Sequence, residues 1–292
     1  MDTSMQYAFF GTPSFAAVIL ERLIDAGRPP ALLVCNPDRP YGRQKILTPP
    51  PTKLIAEARG IPVQQPESLL NWKSEIGNSN FDLFIVSAYN KIIPKALLAF
   101  PRLGAINVHP SLLPRHRGPS PIQTALLEGD AETGVTIFLM DRAVDHGPML
   151  IGSKLPFPIS SYTCKELMRA LAELGAHALI KILPEFLKGD MVPQIQDEAQ
   201  ATYTKKFTAE DAYVPWESLV SALSGNAEQT TRIERMIRGL NPEPGVWTIS
   251  GMPPLFDLPE GKRVKLLKAT HDKGTLSLTE IQVEGKQPRV IY

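Results

Sequence analysis

The chain has 292 residues and a formal net charge of +1 at pH 7, and 43% of its residues are hydrophobic and 21% are charged. This length predicts two domains, and the composition is ordinary for a soluble globular protein. The near-zero net charge excludes binding of nucleic acid or membrane through overall charge, so a polyanionic partner must be met by a local patch.

The cysteines and the apolar runs indicate the cellular compartment. Cys35 and Cys164 are far apart and have no metal-ligand neighbours, so we expect buried thiols rather than a disulfide or a zinc site. The N-terminus lacks a basic region followed by an apolar core, and no run reaches the roughly 18 apolar residues of a membrane span. We therefore expect a cytoplasmic protein that makes no membrane contact.

The first 35 residues predict the opening of a doubly wound α/β domain. Residues 6–11 form an apolar strand, residues 15–25 a helix that follows a turn and N-cap at Thr12-Pro13-Ser14, and residues 31–35 a second strand. Gly11 lacks the further glycines of a dinucleotide-binding fingerprint, so NAD binding is not expected.

Residues 36–51 predict a long loop after the second strand, because five prolines and a glycine oppose regular structure. The loop carries Arg39, Arg43 and Lys45 against a single acidic residue, Asp38. This local positive charge is suited to phosphates, although a solvated loop is the alternative.

Further elements follow in chain order. They are a helix over 52–59, an edge strand over 61–63, a loop and helix over 66–76, a buried strand over 81–87, a helix starting at Pro94, a strand over 104–108, a helix over 121–128, strands over 134–140 and 150–157, and a helix over 163–187. Residues 190–202 predict a linker, and short strands from residue 203 indicate a second domain. The predicted domains are therefore residues 1–189 and 203–292.

Two polar side chains stand at the end of the strand over 104–108. Asn107 and His109 lie two residues apart, so both point to the same face, and Pro110 ends the strand. The carboxyl end of a buried strand is where open α/β sheets bind ligands. A hydrogen-bonded structural histidine and a turn asparagine are the alternative interpretations.

These residues belong to a longer motif. Asn-x-His followed by Ser-Leu-Leu-Pro-x-x-Arg-Gly over residues 107–118 resembles the signature of the 10-formyltetrahydrofolate-dependent formyltransferases, and Asp145 ahead of Gly147 matches the acidic residue of that superfamily. The resemblance implies a catalytic triad of Asn107, His109 and Asp145. It also implies a Rossmann-like formyltransferase domain followed by a small, shortened, OB-like C-terminal barrel.

The resemblance further implies an enzyme that uses 10-formyltetrahydrofolate as formyl donor and needs no metal. It implies that Phe15 lies near the acceptor pocket, although ordinary core packing is an equal interpretation of this residue. It assigns the folate pocket to Tyr89, Asn90, Ile92, Ile93, Ser111, Leu112, Leu113 and Pro114. Asn90 stands where the family usually has glycine, and asparagine tolerates a left-handed backbone better than most residues.

The loop over 36–51 carries a second, more specific resemblance. Pro-Asp-Arg-Pro-x-Gly-Arg, the prolines that follow and Lys53 resemble the insertion loop of the methionyl-tRNA formyltransferases. This implies methionylated initiator tRNA as partner, with Arg43 as its principal contact and Arg39 and Lys45 assisting. We also expect the protein to be a monomer. Residues 203–292 hold 12 Lys and Arg against 11 Asp and Glu, so the second domain is barely basic.

Three alternatives remain open at this point. A formyltransferase for a nucleotide-linked amino sugar would share the triad and folate pocket but would not need a basic loop. Glycinamide ribonucleotide formylation would not need the second domain, and a folate- or RNA-binding protein without turnover would not need the triad.

The implied reaction is attack of a neutral primary amine on a formyl carbon, which develops negative charge on the formyl oxygen. Asn107 can donate its amide N–H to that oxygen, and His109 held by Asp145 can stabilise the charge or carry protons. Whether His109 or Asp145 accepts the amine proton is left open, because the pair can titrate as one unit.

Overall fold

The structure is a computed structural model that describes residues 5–42, 44–70, 72 and 79–291. The chain divides into two compact units. Unit 1 comprises residues 1–119, 132–157 and 168–203, and unit 2 comprises residues 120–131, 158–167 and 204–292. Both units are thus discontinuous in sequence, and the predicted domain boundaries at residues 189 and 203 stay a prediction.

Unit 1 is built on a seven-stranded sheet in the order β5-β2-β1-β6-β7-β8-β9. The strands are β1 (Tyr7–Gly11), β2 (Leu32–Val34), β5 (Val63–Gln64), β6 (Leu83–Ser87), β7 (Ala105–His109), β8 (Gly134–Leu139) and β9 (Met149–Lys154). The helices are α1 (Ser14–Asp25), α2 (Pro51–Ala58), the short α3 (Lys95–Leu98) and, from residue 168 onward, α5 (Cys164–Lys188). This arrangement confirms the predicted α/β class with a mostly parallel sheet.

The centre of the sheet is buried on both faces. All residues of β1 and β6 are buried, and the two strands pair in parallel with Phe9 beside Ile85. Phe10 packs against Trp72, Phe84 and Tyr89, with ring centroids 4.9 to 5.5 Å apart. Such continuous apolar strands are typical of parallel sheets covered on both sides.

The edge of the sheet beyond β7 departs from the parallel pattern. Strand β8 runs antiparallel to β7, with Leu139 beside Ile106, and β9 runs antiparallel to β8. The carboxyl end of β8 therefore lies beside the start of β7, away from His109. Asp145, in the connection 140–148, must return across the sheet to reach the end of β7.

The loop predicted over residues 36–51 contains regular structure, so that prediction is wrong in part. Strands β3 (Arg39–Tyr41) and β4 (Ile46–Thr48) form an antiparallel hairpin with Arg39 opposite Thr48. In a two-stranded ribbon each strand forms hydrogen bonds with a partner strand on one side only. A proline, which lacks an N–H, is therefore tolerated at position 40.

Other boundaries differ by a few residues. Helix α1 begins at Ser14 with Pro13 at its N-cap, so Ser14 is helical rather than capping. The strand predicted over 61–63 is β5, and the strand predicted over 150–157 is β9. Most of the helix predicted within 66–76 lies outside the described residues.

Unit 2 contains a four-stranded antiparallel sheet in the order β10-β11-β12-β13. The strands are β10 (Trp247–Ile249), β11 (Arg263–Asp272), β12 (Thr275–Val283) and β13 (Arg289–Val290), and the helices are α4 (Pro121–Glu128), α6 (Trp216–Leu223) and α7 (Ala227–Leu240). One face of the sheet is buried, because Val264 and Leu266 lie inside while Arg263 and Lys265 are exposed. Strands β10 and β13 are the edges of this sheet, and the predicted OB-like barrel is not confirmed.

Both cysteines are free: Cys35 is buried, and Cys164 is partly buried. Burial raises the pKa of each thiol to about 11, which keeps both protonated at neutral pH. Among the described residues, no helix has the length and apolarity that crossing a membrane requires.

The aromatic cluster of unit 1 supplies a test of the core. We expect Phe84→Ala to lower the free energy of unfolding by about 3–5 kcal/mol, because it opens a cavity between packed rings. Phe157→Ala removes the same atoms from a side chain in unit 1 that is 62% exposed, and we expect a change within about 0.5 kcal/mol. Urea denaturation followed by tryptophan fluorescence, in which Trp72 reports on unit 1, checks both. Equal effects of the two variants would contradict the assignment of the core.

Candidate active site

Asn107, His109 and Asp145 come together at the end of β7. The Nδ2 atom of Asn107 donates to Oδ1 of Asp145 at 3.4 Å, and Nδ1 of His109 lies 3.5 Å from Oδ2 of the same carboxylate. The side chains of His109 and Asp145 are only 5% and 13% exposed. The structure therefore brings together the three residues that the sequence separates by up to 38 positions.

The imidazole of His109 is held at both nitrogens. Its Nε2 atom lies 2.9 Å from the backbone oxygen of His116, and because a carbonyl only accepts, the ring must carry a proton on Nε2. The other nitrogen, Nδ1, faces the Asp145 carboxylate. A carboxylate oxygen can accept a hydrogen bond from Nδ1 or interact with positive charge on the ring, so Asp145 is placed to orient the imidazole.

The carboxylate of Asp145 is fixed by backbone as well as by side chains. The amide N–H of Gly118 donates to Oδ2 at 2.8 Å. Asp145 has a φ of 49°, in the left-handed region that non-glycine residues seldom adopt. The backbone of residue 147 passes so close to Leu139 that only glycine fits, because a Cβ there would lie 1.8 Å from the carbonyl oxygen of Leu139.

The sequence analysis did not identify Gln196, which contacts this connection, and did not predict that Arg117 beside it is buried. Gln196 lies in the predicted linker, but it is buried and donates to the carbonyl of Asp145. Arg117 is fully buried beside Gln196 and pairs with Glu198, which raises the pKa of the guanidinium and lowers that of the carboxyl. A buried arginine requires acceptors, but sequence alone does not show that Arg117 is buried.

The predicted folate-pocket residues lie in two connections at the same edge of the sheet. Asn90 adopts a φ of 62°, as its replacement of glycine predicts, and it is exposed, like Ile92. Tyr89 and Ile93 are buried. In the second connection, Ser111, Leu112, Leu113 and Pro114 follow β7 directly: the hydroxyl of Ser111 donates to the Arg115 carbonyl, and Thr136 accepts from the amide of Leu113.

Several buried polar atoms near this edge of the unit 1 sheet lack a hydrogen-bond partner. Within the described part of the chain, five buried side-chain oxygen atoms have no hydrogen-bond partner, and four of them belong to residues within two positions of the carboxyl ends of β2, β6 and β7. These four residues are Asn36, Ser87, Tyr89 and Asn107. Buried polar atoms normally find partners, so their concentration here indicates a place where a polar ligand binds.

The hairpin of β3 and β4 displays cationic and apolar groups together. Arg39 and Lys45 are exposed, and Ile46 and Leu47 are 60% and 64% exposed. Arg43 lies outside the described residues. Phe15, the other predicted acceptor-side residue, is buried in α1.

An ion pair holds the base of the hairpin. Nζ of Lys53 donates to Asp38 at 2.9 Å, and Nε2 of Gln65 donates to the same carboxylate at 2.7 Å. These bonds lower the pKa of Asp38, that of Gln65 contributing most, and the pair raises the pKa of Lys53. Residues 38 and 53 flank the hairpin, so the pair joins its two ends.

The family model described as formyl transferase matches residues 5–183, so the chain belongs to the formyl transferase family and is an enzyme of formyl transfer. Solved structures share the fold. An N-formyltransferase from Helicobacter canadensis, in complex with folinic acid and dTDP-3-aminofucose, is 16% identical with a TM-score of 0.61, over 91% of this chain and 87% of that chain.

Two further solved structures with other names share the fold. Methionyl-tRNA formyltransferase from Clostridium thermocellum is 18% identical with a TM-score of 0.60, over 96% of this chain and 98% of that chain. HypX from Aquifex aeolicus in complex with tetrahydrofolic acid is 16% identical with a TM-score of 0.65, over 97% of this chain and 45% of that chain. At these identities the likeness shows a common fold.

The ion pair at the hairpin base supplies a test. We expect Lys53→Met to raise the pKa of Asp38 toward its ordinary value of about 3.9, because the variant removes one of the two donors to the carboxylate. A lowered carboxyl pKa stabilises the fold above the ordinary value and loses that effect as the pH falls through the lowered value. NMR titration of the Asp38 side-chain carbonyl checks the shift. Lys188→Met, at an exposed lysine, is the control, and an unchanged Asp38 pKa in Lys53→Met would contradict the assignment.

Proposed function

We propose that the protein transfers the formyl group of 10-formyltetrahydrofolate to the free amino group of initiator methionyl-tRNA, giving N-formylmethionyl-tRNA for translation initiation. Membership of the formyl transferase family and the convergence of Asn107, His109 and Asp145 support the reaction. The observation that supports tRNA as acceptor is the exposed basic hairpin over residues 39–48.

The residues present fit a folate at the carboxyl edge of the sheet. A pterin ring carries several N–H donors, and the unpartnered oxygens of Ser87, Tyr89 and Asn107 are acceptors that such donors can satisfy. Burial raises the pKa of the Tyr89 phenol, so it stays protonated and can also donate. When bound, 10-formyltetrahydrofolate would supply the formyl carbon that the amine attacks.

The three polar residues then have distinct tasks. Asn107 has a second N–H on Nδ2 besides the one directed at Asp145, and this N–H can donate to the formyl oxygen as it becomes negative. His109 has its Nε2 proton committed to the His116 carbonyl, so Nδ1, facing Asp145, is the nitrogen available for proton exchange. Asp145 keeps the imidazole oriented and stabilises positive charge that develops on it during proton transfer.

The hairpin has the properties that an RNA end requires. Arg39 and Lys45 supply charges for phosphates, and the exposed Ile46 and Leu47 supply an apolar surface on which an unstacked base can lie. The pair between Asp38 and Lys53 fixes where the hairpin leaves unit 1. A nucleotide-linked amino sugar is small and would not need such an extended arm.

The acceptor is tested directly. Purified protein and 10-formyltetrahydrofolate are offered methionyl-tRNA or a set of nucleotide-linked amino sugars, and the formylated product is measured by mass spectrometry. We expect formylation of methionyl-tRNA. Formylation of an amino sugar alone would overturn the proposed acceptor and leave formyl transfer standing.

Asp145→Asn tests the role of the carboxylate. We expect turnover to fall by about 10³-fold or more, because the imidazole loses the charge that orients and stabilises it. Thermal unfolding should be nearly unchanged, since asparagine can still accept from the amide of Gly118. The matched control, Asp141→Asn, alters a carboxylate that contacts His146 in the same connection and should retain turnover. Full activity of Asp145→Asn would refute the role.

Charge reversal on the hairpin tests the tRNA contact. We expect Arg39→Glu and Lys45→Glu each to raise KM for methionyl-tRNA roughly 10-fold, because a phosphate contact becomes a repulsion. The KM for the folate should stay constant. Lys188→Glu makes the same charge change at the end of α5 and should leave both constants unchanged. Equal KM values for methionyl-tRNA in all three variants and the wild type would show that the hairpin does not contribute to tRNA binding.

A further inference from the structure

The side chain of Arg117 has every N–H donor in use. A guanidinium has five N–H groups. Nε and Nη2 of Arg117 donate to Oε1 of Gln196 at 3.1 and 2.8 Å, Nη1 and Nη2 donate to the two carboxylate oxygens of Glu198 at 3.0 and 2.6 Å, and Nη1 donates to the hydroxyl of Tyr203 at 3.0 Å. The guanidinium is 0% exposed, so this acceptor set compensates a buried charge.

This saturation orients the amide of Gln196. Because Oε1 accepts two bonds from Arg117, the NH2 group must point away from the guanidinium. Its two N–H donors reach the backbone oxygens of Asp145 at 2.9 Å and Gly147 at 2.8 Å. A rotated amide would turn the NH2 group against the two N–H donors of Arg117 that now reach Oε1, so Gln196 has only one satisfied orientation.

The backbone that Gln196 holds is the one that needs support. Asp145 adopts a left-handed conformation, and Gly147 passes close to the Leu139 carbonyl. The antiparallel direction of β8 means that no strand delivers Asp145 to His109. Gln196 supplies two hydrogen bonds from a single buried side chain to the backbone of residues 145 and 147, in addition to the bond from the Gly118 amide to the Asp145 carboxylate.

We propose that Gln196 is a positioning residue for formyl transfer: held by Arg117, it clamps the backbone on both sides of residue 146 and so sets the distance between the Asp145 carboxylate and the His109 imidazole. The proposal rests on the function proposed above, in which Asp145 acts through His109. Gln196 touches neither reacting group, and its effect passes entirely through the placement of Asp145.

The isosteric variant Gln196→Glu keeps the contact of residue 196 with Arg117 but removes its contacts with the backbone of residues 145 and 147. A carboxylate can still accept from Arg117, but it has no N–H for the carbonyls of Asp145 and Gly147 and repels them. We expect kcat to fall roughly 10²-fold, the size of effect that follows a small misplacement of a reacting group. KM for the folate and for the acceptor should stay within about 2-fold, since a positioning residue does not bind substrate. Gln194→Glu makes the same substitution at an exposed residue two positions away and should behave as wild type.

A double-mutant cycle shows whether Gln196 acts through Asp145. In the Asp145→Asn background we expect Gln196→Glu to change the residual kcat by less than about 2-fold, because the carboxylate that the clamp places is already absent. A full multiplicative loss in that background would overturn the proposal, and so would a change in KM with kcat unaltered.

Amide hydrogen exchange gives a readout that needs no turnover. We expect the Gly118 amide, which donates to the Asp145 carboxylate, and the amides of residues 143–147 to exchange faster in Gln196→Glu than in Gln194→Glu, while those of β7 stay the same. Unchanged exchange at Gly118 would refute the clamp. If the wild type formylates no acceptor offered but exchange rises as expected, the proposed function fails and the clamp stands.

Discussion

The structure of the site depends on one constraint: a carboxylate must face a buried imidazole although the strand before it runs the wrong way. In a purely parallel sheet, the ends of neighbouring strands would meet at one edge and bring their polar residues together. Here β8 is antiparallel, and the connection 140–148 has to return across the sheet. The left-handed Asp145, the closely packed Gly147 and the buried Gln196 are each consequences of that return.

Burial of charge explains why the support is so extensive. A desolvated ionised group is costly unless its partners are complete, and removal of one partner leaves the other uncompensated. His109 has the His116 carbonyl on one side and Asp145 on the other. Arg117 meets the same requirement with a carboxylate, an amide and a phenol. Buried polar contacts therefore lie on both sides of the connection that carries Asp145.

The sequence predicted the parts of this arrangement that depend on local pattern. The apolar runs of β1 and β6, the shared face of Asn107 and His109, and the left-handed tolerance of Asn90 are all readable from neighbouring residues. Strand direction is set by tertiary packing, so the antiparallel β8 was not readable. The same holds for Gln196, which lies in a polar stretch typical of a linker but is buried between Arg117 and the backbone of residues 145 and 147.

In the hairpin, the sequence pattern predicted too little regular structure. The prolines of residues 36–51 predicted an irregular loop. A two-stranded ribbon needs few hydrogen bonds between its strands, so Pro40 can occupy a strand. The composition of the segment was nevertheless informative, because Arg39 and Lys45 are exposed as a basic loop requires.

In the proposed mechanism, the acceptor must be selected by residues other than Asn107, His109 and Asp145. Attack of a primary amine on a formyl carbon develops the same charge whether the amine belongs to an aminoacyl group or to a sugar, so the roles proposed for these three residues do not distinguish the two acceptors. Structures with both kinds of name share this fold at similar TM-scores, which agrees with a common core and variable surroundings. Discrimination then requires groups that contact the part of the acceptor far from the amine. The exposed hairpin between β2 and α2 is suited to that task, because it carries cations and apolar side chains on a base fixed by Asp38 and Lys53.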